Sequence, residues 1–367
     1  MLAKIQLSNF RSFKSKILQF SPKTTVIVGP NASGKTNIIE AILLLSTGKS
    51  FHARIEEEMV AYDEEIARVK GAIVDKGDGE RQGTNLEVVL TRGEITIGKS
   101  PEKVEKVARK KLLLNGISKR LVDFAGNFKT VLFGPWDMDL VTDAPSIRRR
   151  FLDTVLSQVD REYRRASLSY EKGLRQRNKL LWRIREEGLS RNQLLFWDKL
   201  LIKNGDYISK KREEFIDFAN LSTQLEAANY RLLYDKSYIS ETRLEQYADE
   251  EVAAATTLVG PHRDDFIFEI KSQKSKVENN ERELARYGSR GEQRIGILWL
   301  KLAELTYIEQ VTKERPTLLL DDIFSELDHE HRNIVFEVAK AQQTIITTAE
   351  PHYMEGFEKI EKISLQI

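Results

Sequence analysis

The segment Gly29-Pro30-Asn31-Ala32-Ser33-Gly34-Lys35-Thr36 follows a β-branched run, Thr24-Thr25-Val26-Ile27-Val28, and precedes residues with helical spacing from Lys35 to about Ser46. It fits G-x-x-x-x-G-K-[ST], and the strand before and helix after are the context this pattern requires. The glycines let backbone amides turn inward around phosphate oxygens. The helix start adds unsatisfied N–H groups and the positive end of its dipole. Gly29 to Thr36 therefore reads as a nucleotide-phosphate cradle, with Lys35 placed for the β- and γ-phosphates and the Thr36 hydroxyl for Mg²⁺. A chance Gly-rich turn is the alternative, and the flanking elements argue against it.

Such a loop needs a carboxylate on a neighbouring strand. Thr317-Leu318-Leu319-Leu320-Asp321-Asp322 is an apolar run ending in two. Asp321 is the expected Mg²⁺ ligand, directly or through water, and Asp322 the group that polarises the attacking water. Taken alone, the pair reads equally as an acidic turn after a core strand. A third segment, Ser289-Arg290-Gly291-Glu292-Gln293, lies before a helix expected over Gly291–Thr312 and 28 residues ahead of the acidic strand. The Ser289 hydroxyl and the backbone amides around Gly291 make a second anion site. Ordinary capping by Ser289 is the competing reading.

At 367 residues the chain exceeds one ordinary domain. Its 58 Lys and Arg against 56 Asp and Glu leave a net charge of +2, which excludes a uniformly basic DNA-coating protein. Absence of cysteine removes disulfides, thiolate metal sites and Cys nucleophiles, and fits a reducing compartment. Met1–Phe13 has no continuous apolar stretch and is not a signal peptide. Apolar runs such as Ala41–Leu45 fall far short of the ~20 residues of a membrane helix. A soluble, cytoplasmic protein without a membrane partner is expected.

The first region, to about Pro145, reads as mixed α/β. Strands are expected at Lys4–Leu7, Thr24–Val28, Arg68–Val74, Leu86–Leu90, Glu94–Ile97 and Lys111–Leu114, with a solvated loop at Asp75–Gly83. From Ser146 to about Ala255, Gly is confined to Gly173, Gly188 and Gly205 and apolar residues recur at helical spacing. This is a helical insertion with two or more long antiparallel helices, Gly188 and Gly205 being candidate breaks. From Thr256 the α/β character returns, with strands at Asp265–Ile270, Thr317–Leu320 and Thr344–Thr347. The fold class is α/β: a head of 1–145 and 256–367, interrupted by a helical arm, 146–255.

The P-loop, Ser289 segment and acidic strand, in their arrangement, resemble those of ABC-type ATPases. Asn9-Phe10-Arg11-Ser12-Phe13, Gly48-Lys49-Ser50-Phe51, Ser146-Ile147-Arg148-Arg149-Arg150-Phe151-Leu152-Asp153, Gly260-Pro261-His262-Arg263-Asp264-Asp265 and Leu320-Asp321-Asp322-Ile323-Phe324-Ser325-Glu326-Leu327-Asp328 resemble the RecF family more closely. These are bacterial DNA-repair ATPases related to SMC proteins, and the resemblance covers essentially the whole chain. It implies an ABC-type head, ATP and Mg²⁺, weak DNA-dependent ATPase activity, ATP-dependent dimerisation, DNA binding, and RecR and RecO as partners. The role implied is recombinational repair, replication restart and SOS induction. Lys35, Asp321, Asp322 and Ser289 would form the catalytic set, and Ser325 to Asp328 the loop coupling two sites. Arg11 would reach nucleotide phosphates, a surface turn being the alternative.

Two departures point to slow turnover. Asp322 stands where transporter-type ATPases carry Glu, and Thr347 and Thr348 stand where many relatives carry a switch His. An ATPase subunit of another assembly, such as a transporter, is the alternative function; the basic arm and the missing His weigh against it.

One P-loop and one Ser289 segment per chain make half a site in the ABC arrangement, so two copies would face head-to-tail around two ATP molecules. The arm supplies the charge for DNA: Ser146–Arg191 holds 13 Arg and Lys against 6 Asp and Glu. Arg148-Arg149-Arg150, Arg164-Arg165, Arg175 and Arg177, with Tyr163 and Tyr170 among them, are candidate contacts for sequence-independent binding. A salt-bridged helix face is the alternative for each. His262-Arg263-Asp264-Asp265 reads as a hydrogen-bonded turn between arm and head rather than a metal site.

Overall fold

The computed structural model describes residues 1–74, 83–98, 103–221, 230–271, 281–325, 327–350 and 360–366. Of the expected loop Asp75–Gly83, residues 75–82 lie outside that set. The chain divides into two compact units, Met1–Pro135 with Ile308–Ile367, and Trp136–Tyr307.

The first unit contains two large sheets and a two-stranded antiparallel pair, Glu94–Ile97 with Lys103–Lys106. Five parallel strands run in the order Thr130–Phe133, Thr317–Asp321, Thr344–Thr348, Thr24–Val28 and Ile360–Ser364. The three central strands are apolar or β-branched and almost wholly buried, as expected of a parallel sheet covered on both faces. An antiparallel sheet contains Phe13–Gln19, Leu2–Phe10, Ile66–Ile73, Thr84–Thr91, Lys110–Leu114 and Ile117–Lys119 in that order. Leu2, Ile5, Leu7, Val69, Leu86 and Val88 form its buried face.

The helix Lys35–Thr47 packs on strands of both sheets, which explains why it is apolar nearly all round. Gly71 makes that approach possible, because a Cβ there would lie 2.5 Å from Leu45. The helix ends at Gly48, in the left-handed conformation (φ 68°) that favours glycine at this position.

The second unit is centred on an antiparallel helical hairpin, Arg161–Glu187 and Leu195–Leu221, preceded by the helix Pro145–Val159. Asp160 caps the first long helix by accepting from the N–H groups of Glu162 and Tyr163, and Gly188 ends it. Gly205 does not break the second helix. It lies where a Cβ would meet Ile239 at 2.7 Å, so the glycine serves close packing instead. A strand the sequence reading missed, Tyr230–Asp235, pairs with Asp265–Lys271, which pairs with Glu281–Glu283.

The unit boundaries differ from the expected 145 and 256. Residues after 256 are tied to the helices before them. Buried Asp264 accepts from Arg212, Tyr234 and the Ser237 N–H, while Arg148 forms a two-bond ion pair with Asp265. His262 lies between the Tyr170 hydroxyl (2.8 Å) and the Thr257 carbonyl (3.0 Å). The expected hydrogen-bonded turn exists, within the second unit.

Candidate nucleotide site

The phosphate loop connects the strand Thr24–Val28 to the helix Lys35–Thr47. Ala32 (φ 68°) and Gly34 (φ 90°) take left-handed conformations, which curl the backbone into a concave turn. A Cβ on Gly34 would fall 2.6 Å from the Phe13 ring and 3.1 Å from Ser12 Oγ, so the turn at Arg11–Phe13 packs directly on the loop. Asn37 Nδ2 ties the same turn to the helix by donating to Ser12 Oγ at 3.0 Å.

The Ser33 hydroxyl is buried within this loop and has no hydrogen-bond partner among the described residues. Leaving such a group unsatisfied costs about 1–3 kcal/mol. A phosphate oxygen held in the loop would supply the missing partner. Lys35, 7% exposed, folds its ammonium over the loop and donates to the carbonyls of Gly29 at 2.8 Å and Pro30 at 3.0 Å. The cradle and its cation are thus held by the same backbone.

Parallel pairing of Thr317–Asp321 with Thr344–Thr348 sets Asp321 beside Thr347. The Thr347 hydroxyl donates to one Asp321 oxygen, and the Thr36 hydroxyl donates to the other at 2.8 Å. Burial raises the Asp321 carboxyl above its ordinary range, while the two hydroxyl donors pull it back. This set of hard oxygens beside a phosphate cradle fits Mg²⁺, which takes one or two carboxylates together with substrate phosphates and water. Asp322 follows in a left-handed conformation (φ 52°), its N–H donating to the Thr347 carbonyl at 3.1 Å. A non-glycine residue held there at a strand end is the kind of backbone strain that clusters at functional sites.

Arg11 is engaged by protein groups. Its guanidinium makes two 2.7 Å bonds to the Glu40 carboxylate and a third to the Glu58 carbonyl, and Glu40 also accepts from Ser50. Arg11 and Ser12 line a cavity of about 400 Å³ with Asn37, Tyr62 and Arg92.

Ser289 belongs to the second unit and forms a capping box at the start of the helix Arg290–Thr312. Its N–H donates to Glu292 at 2.7 Å, and its Oγ accepts from the Glu292 N–H at 3.2 Å. The Ser289 N–H is the main cause holding the Glu292 carboxyl below its ordinary range. Beside it Gly291 is open: a Cβ there would meet only Ser289 Oγ, at 3.9 Å. Asp328 likewise caps a helix, accepting from the His331 N–H at 3.0 Å. Glu326 lies outside the described residues.

A family model described as RecF/RecN/SMC N terminal domain matches residues 1–366. The DNA replication and repair protein RecF of Herpetosiphon aurantiacus is 35% identical over 373 residues, spanning 95% of this chain and 93% of that one. The chain belongs to the RecF family. A solved RecF, described as the recombination mediator protein RecF-ATPrS in the RecFOR pathway, matches with a TM-score of 0.82 at 31% identity, covering 99% of this chain and 96% of that chain. An Smc head domain derived from Pyrococcus yayanosii, with a coiled coil and joint, matches at a TM-score of 0.53 and 15% identity over 100% of this chain and 95% of its own, a likeness of fold alone. The ABC-type ATPase head expected from the RecF resemblance is the fold found.

In this RecF-family chain several basic residues singled out for DNA prove to be internal. Arg177 is 2% exposed and is bound by Asp198 and Glu251. Arg148 serves Asp265, Arg149 donates to the Asp264 carbonyl, and Tyr163 and Tyr170 are buried. An Arg among apolar neighbours at helical spacing cannot be told from a surface Arg until its carboxylates, 21 to 117 residues away, are brought in. Sequence reading also passed over Glu40. Its signal was present, since it is the sole charge in Asn37–Leu45, a run otherwise apolar apart from Asn37.

Proposed function

We propose that this RecF-family protein binds ATP with Mg²⁺ at the Gly29–Thr36 loop, dimerises head-to-tail on DNA near gaps, and releases that clamp by slow hydrolysis. It would serve recombinational repair, replication restart and SOS induction, with RecR and RecO as partners in the cytoplasm. The observation that carries this reading is the unpartnered Ser33 hydroxyl, buried beside Lys35 in a loop whose Thr36 meets Asp321. Gly29 to Thr36 hold the phosphates, Lys35 neutralises them, and Thr36 and Asp321 hold Mg²⁺, which when bound supplies further charge neutralisation. Asp322 orients the attacking water, and Thr347 keeps the Asp321 carboxylate in place. The phosphate loop and Asp321 belong to the first compact unit, and Ser289 to the second.

Ser289 and Gly291 would close on the γ-phosphate held by a second copy. The terminal phosphate of ATP brings charge that two facing helix N-termini share, and ADP lacks it. Light scattering with ATP, ADP and no nucleotide tests this. Mass should double with ATP alone, and Ser289→Arg should still bind ATP in a nucleotide titration yet remain monomeric. Dimerisation of that variant to the wild-type extent would remove Ser289 from the interface and sink the model.

A further inference from the structure

The helix Arg161–Glu187 has a second face that the nucleotide site leaves unexplained. Tyr163, Ala166, Tyr170, Gly173, Arg177, Leu181 and Ile184 are its buried residues. On the opposite side Lys172, Arg175, Lys179 and Trp182 recur at i, i+3, i+7 and i+10, the spacing of one helical stripe. All four are exposed, Trp182 at 47%. No carboxylate occurs between Lys172 and Trp182. Among the described residues Lys172, Arg175 and Lys179 form no ion pair, in contrast to Arg183 and Arg185 further along, which pair with Glu187 and Glu186. Phe196, 65% exposed at the start of the following long helix, is a second open ring at the same end of the hairpin.

From these observations we infer that the outward stripe Lys172–Arg175–Lys179–Trp182 is a binding track for single-stranded DNA, the cations following the phosphates and the indole taking a base. The inference rests on the DNA-binding reading and extends it to a named surface and strand type. At about 1.5 Å per residue the stripe is roughly 15 Å long, with successive groups about 4.5–6 Å apart. That length matches two to three nucleotides of a flexible single strand. Three unpaired cations attract a polyanion without reading sequence. An exposed ring offers a stacking platform that only unpaired bases can use, so a duplex gains from the cations but not from Trp182. Single strand is the occupant for which both halves of the stripe have a use.

The test uses the full chain with fluorescein-labelled oligo(dT) and a duplex of equal length, followed by anisotropy at several salt concentrations. Trp182→Ala should weaken oligo(dT) binding about tenfold, the order of one lost stacking contact, and leave duplex binding within about twofold. Lys179→Gln should lower the salt dependence for oligo(dT) by about 0.7 in log–log slope. Both positions are exposed, and circular dichroism checks that the variants fold. Wild-type binding to duplex, with oligo(dT) binding unchanged in both variants, would overturn the track while leaving the DNA reading intact. Failure of the wild type to bind either DNA would instead remove the reading beneath it. Displacement of oligo(dT) by polyglutamate, with no effect of Trp182→Ala, would also overturn the proposal and identify the stripe as a face for an acidic protein.

Discussion

Arg11 illustrates how a single ion pair ties the nucleotide loop to its surroundings. Glu40 is 1% exposed inside the helix that follows the loop, and Arg11 covers it with two bonds. Removing one member of a buried pair strands the other, at a cost of about 3–5 kcal/mol. Arg11→Ala should therefore destabilise the first unit by that amount, seen as faster hydrogen exchange of the Lys35–Thr47 amides. Ser50 also donates to Glu40, so exchange as slow as in the wild type would mean that the hydroxyl suffices. The phosphate loop was legible because its residues are consecutive and the chemistry is local. Contacts of Asp321 with Thr347, and of Arg11 with Glu40, were not legible. They arise from parallel strand register and from a turn packed on a glycine, neither of which adjacent residues encode.

Among the elements, the helix Arg290–Thr312 carries an unusual charge balance. Lys301 is buried between Glu304 at 3.0 Å and Asp137 at 3.3 Å, with its ammonium over the Phe151 ring. Two carboxylates share one cation, and burial, with the Asp137 charge added, pushes Glu304 up to about 7 against the pull of Lys301. A carboxyl raised on folding favours the fold while it is protonated. Its contribution is complete below the ordinary value near 4.5 and is lost as pH rises through about 7. The loss is on the order of 3 kcal/mol. Glu304→Gln leaves Lys301 paired with Asp137 and removes that titration. The unfolding free energy of the variant minus that of wild type should thus rise between pH 4.5 and 7.5 and level off above. Urea titrations at each pH measure it, and the subtraction cancels His262, lowered to about 4 by burial, whose effect has the opposite sign. A difference independent of pH would mean that Glu304 is ionised throughout. The elements themselves were readable where burial is simple. Thr24–Val28, Thr317–Asp321 and Thr344–Thr348 announce themselves as β-branched or apolar runs. Phe13–Gln19 and Ile360–Ser364 escaped, because edge strands carry lysines and few buried positions. Tyr230–Asp235 sits inside the 146–255 stretch of helical pattern, and its partner strand is thirty residues further on.

At the scale of the molecule, the chain passes between its two units at Pro135–Trp136 and again at Tyr307–Ile308, the second time within the unbroken helix Arg290–Thr312. All four tryptophans, Trp136, Trp182, Trp197 and Trp299, fall in the second unit, whereas the phosphate loop falls in the first. Tryptophan emission therefore reports the unfolding of one unit, while the proposed nucleotide site lies in the other. A helix shared by both cannot unfold in one unit without exposing its own ends in the other, and this favours a common transition. With ATP at a hundred times its dissociation constant, linkage stabilises whatever unfolds together with the site by about 2.7 kcal/mol. ATP and Mg²⁺ should accordingly raise the urea midpoint followed by tryptophan emission in the wild type. Lys35→Ala, which removes the cation of the cradle, should abolish the shift without altering the emission of the native state. A midpoint that ignores ATP in a protein shown by titration to bind it would mean that the units unfold independently.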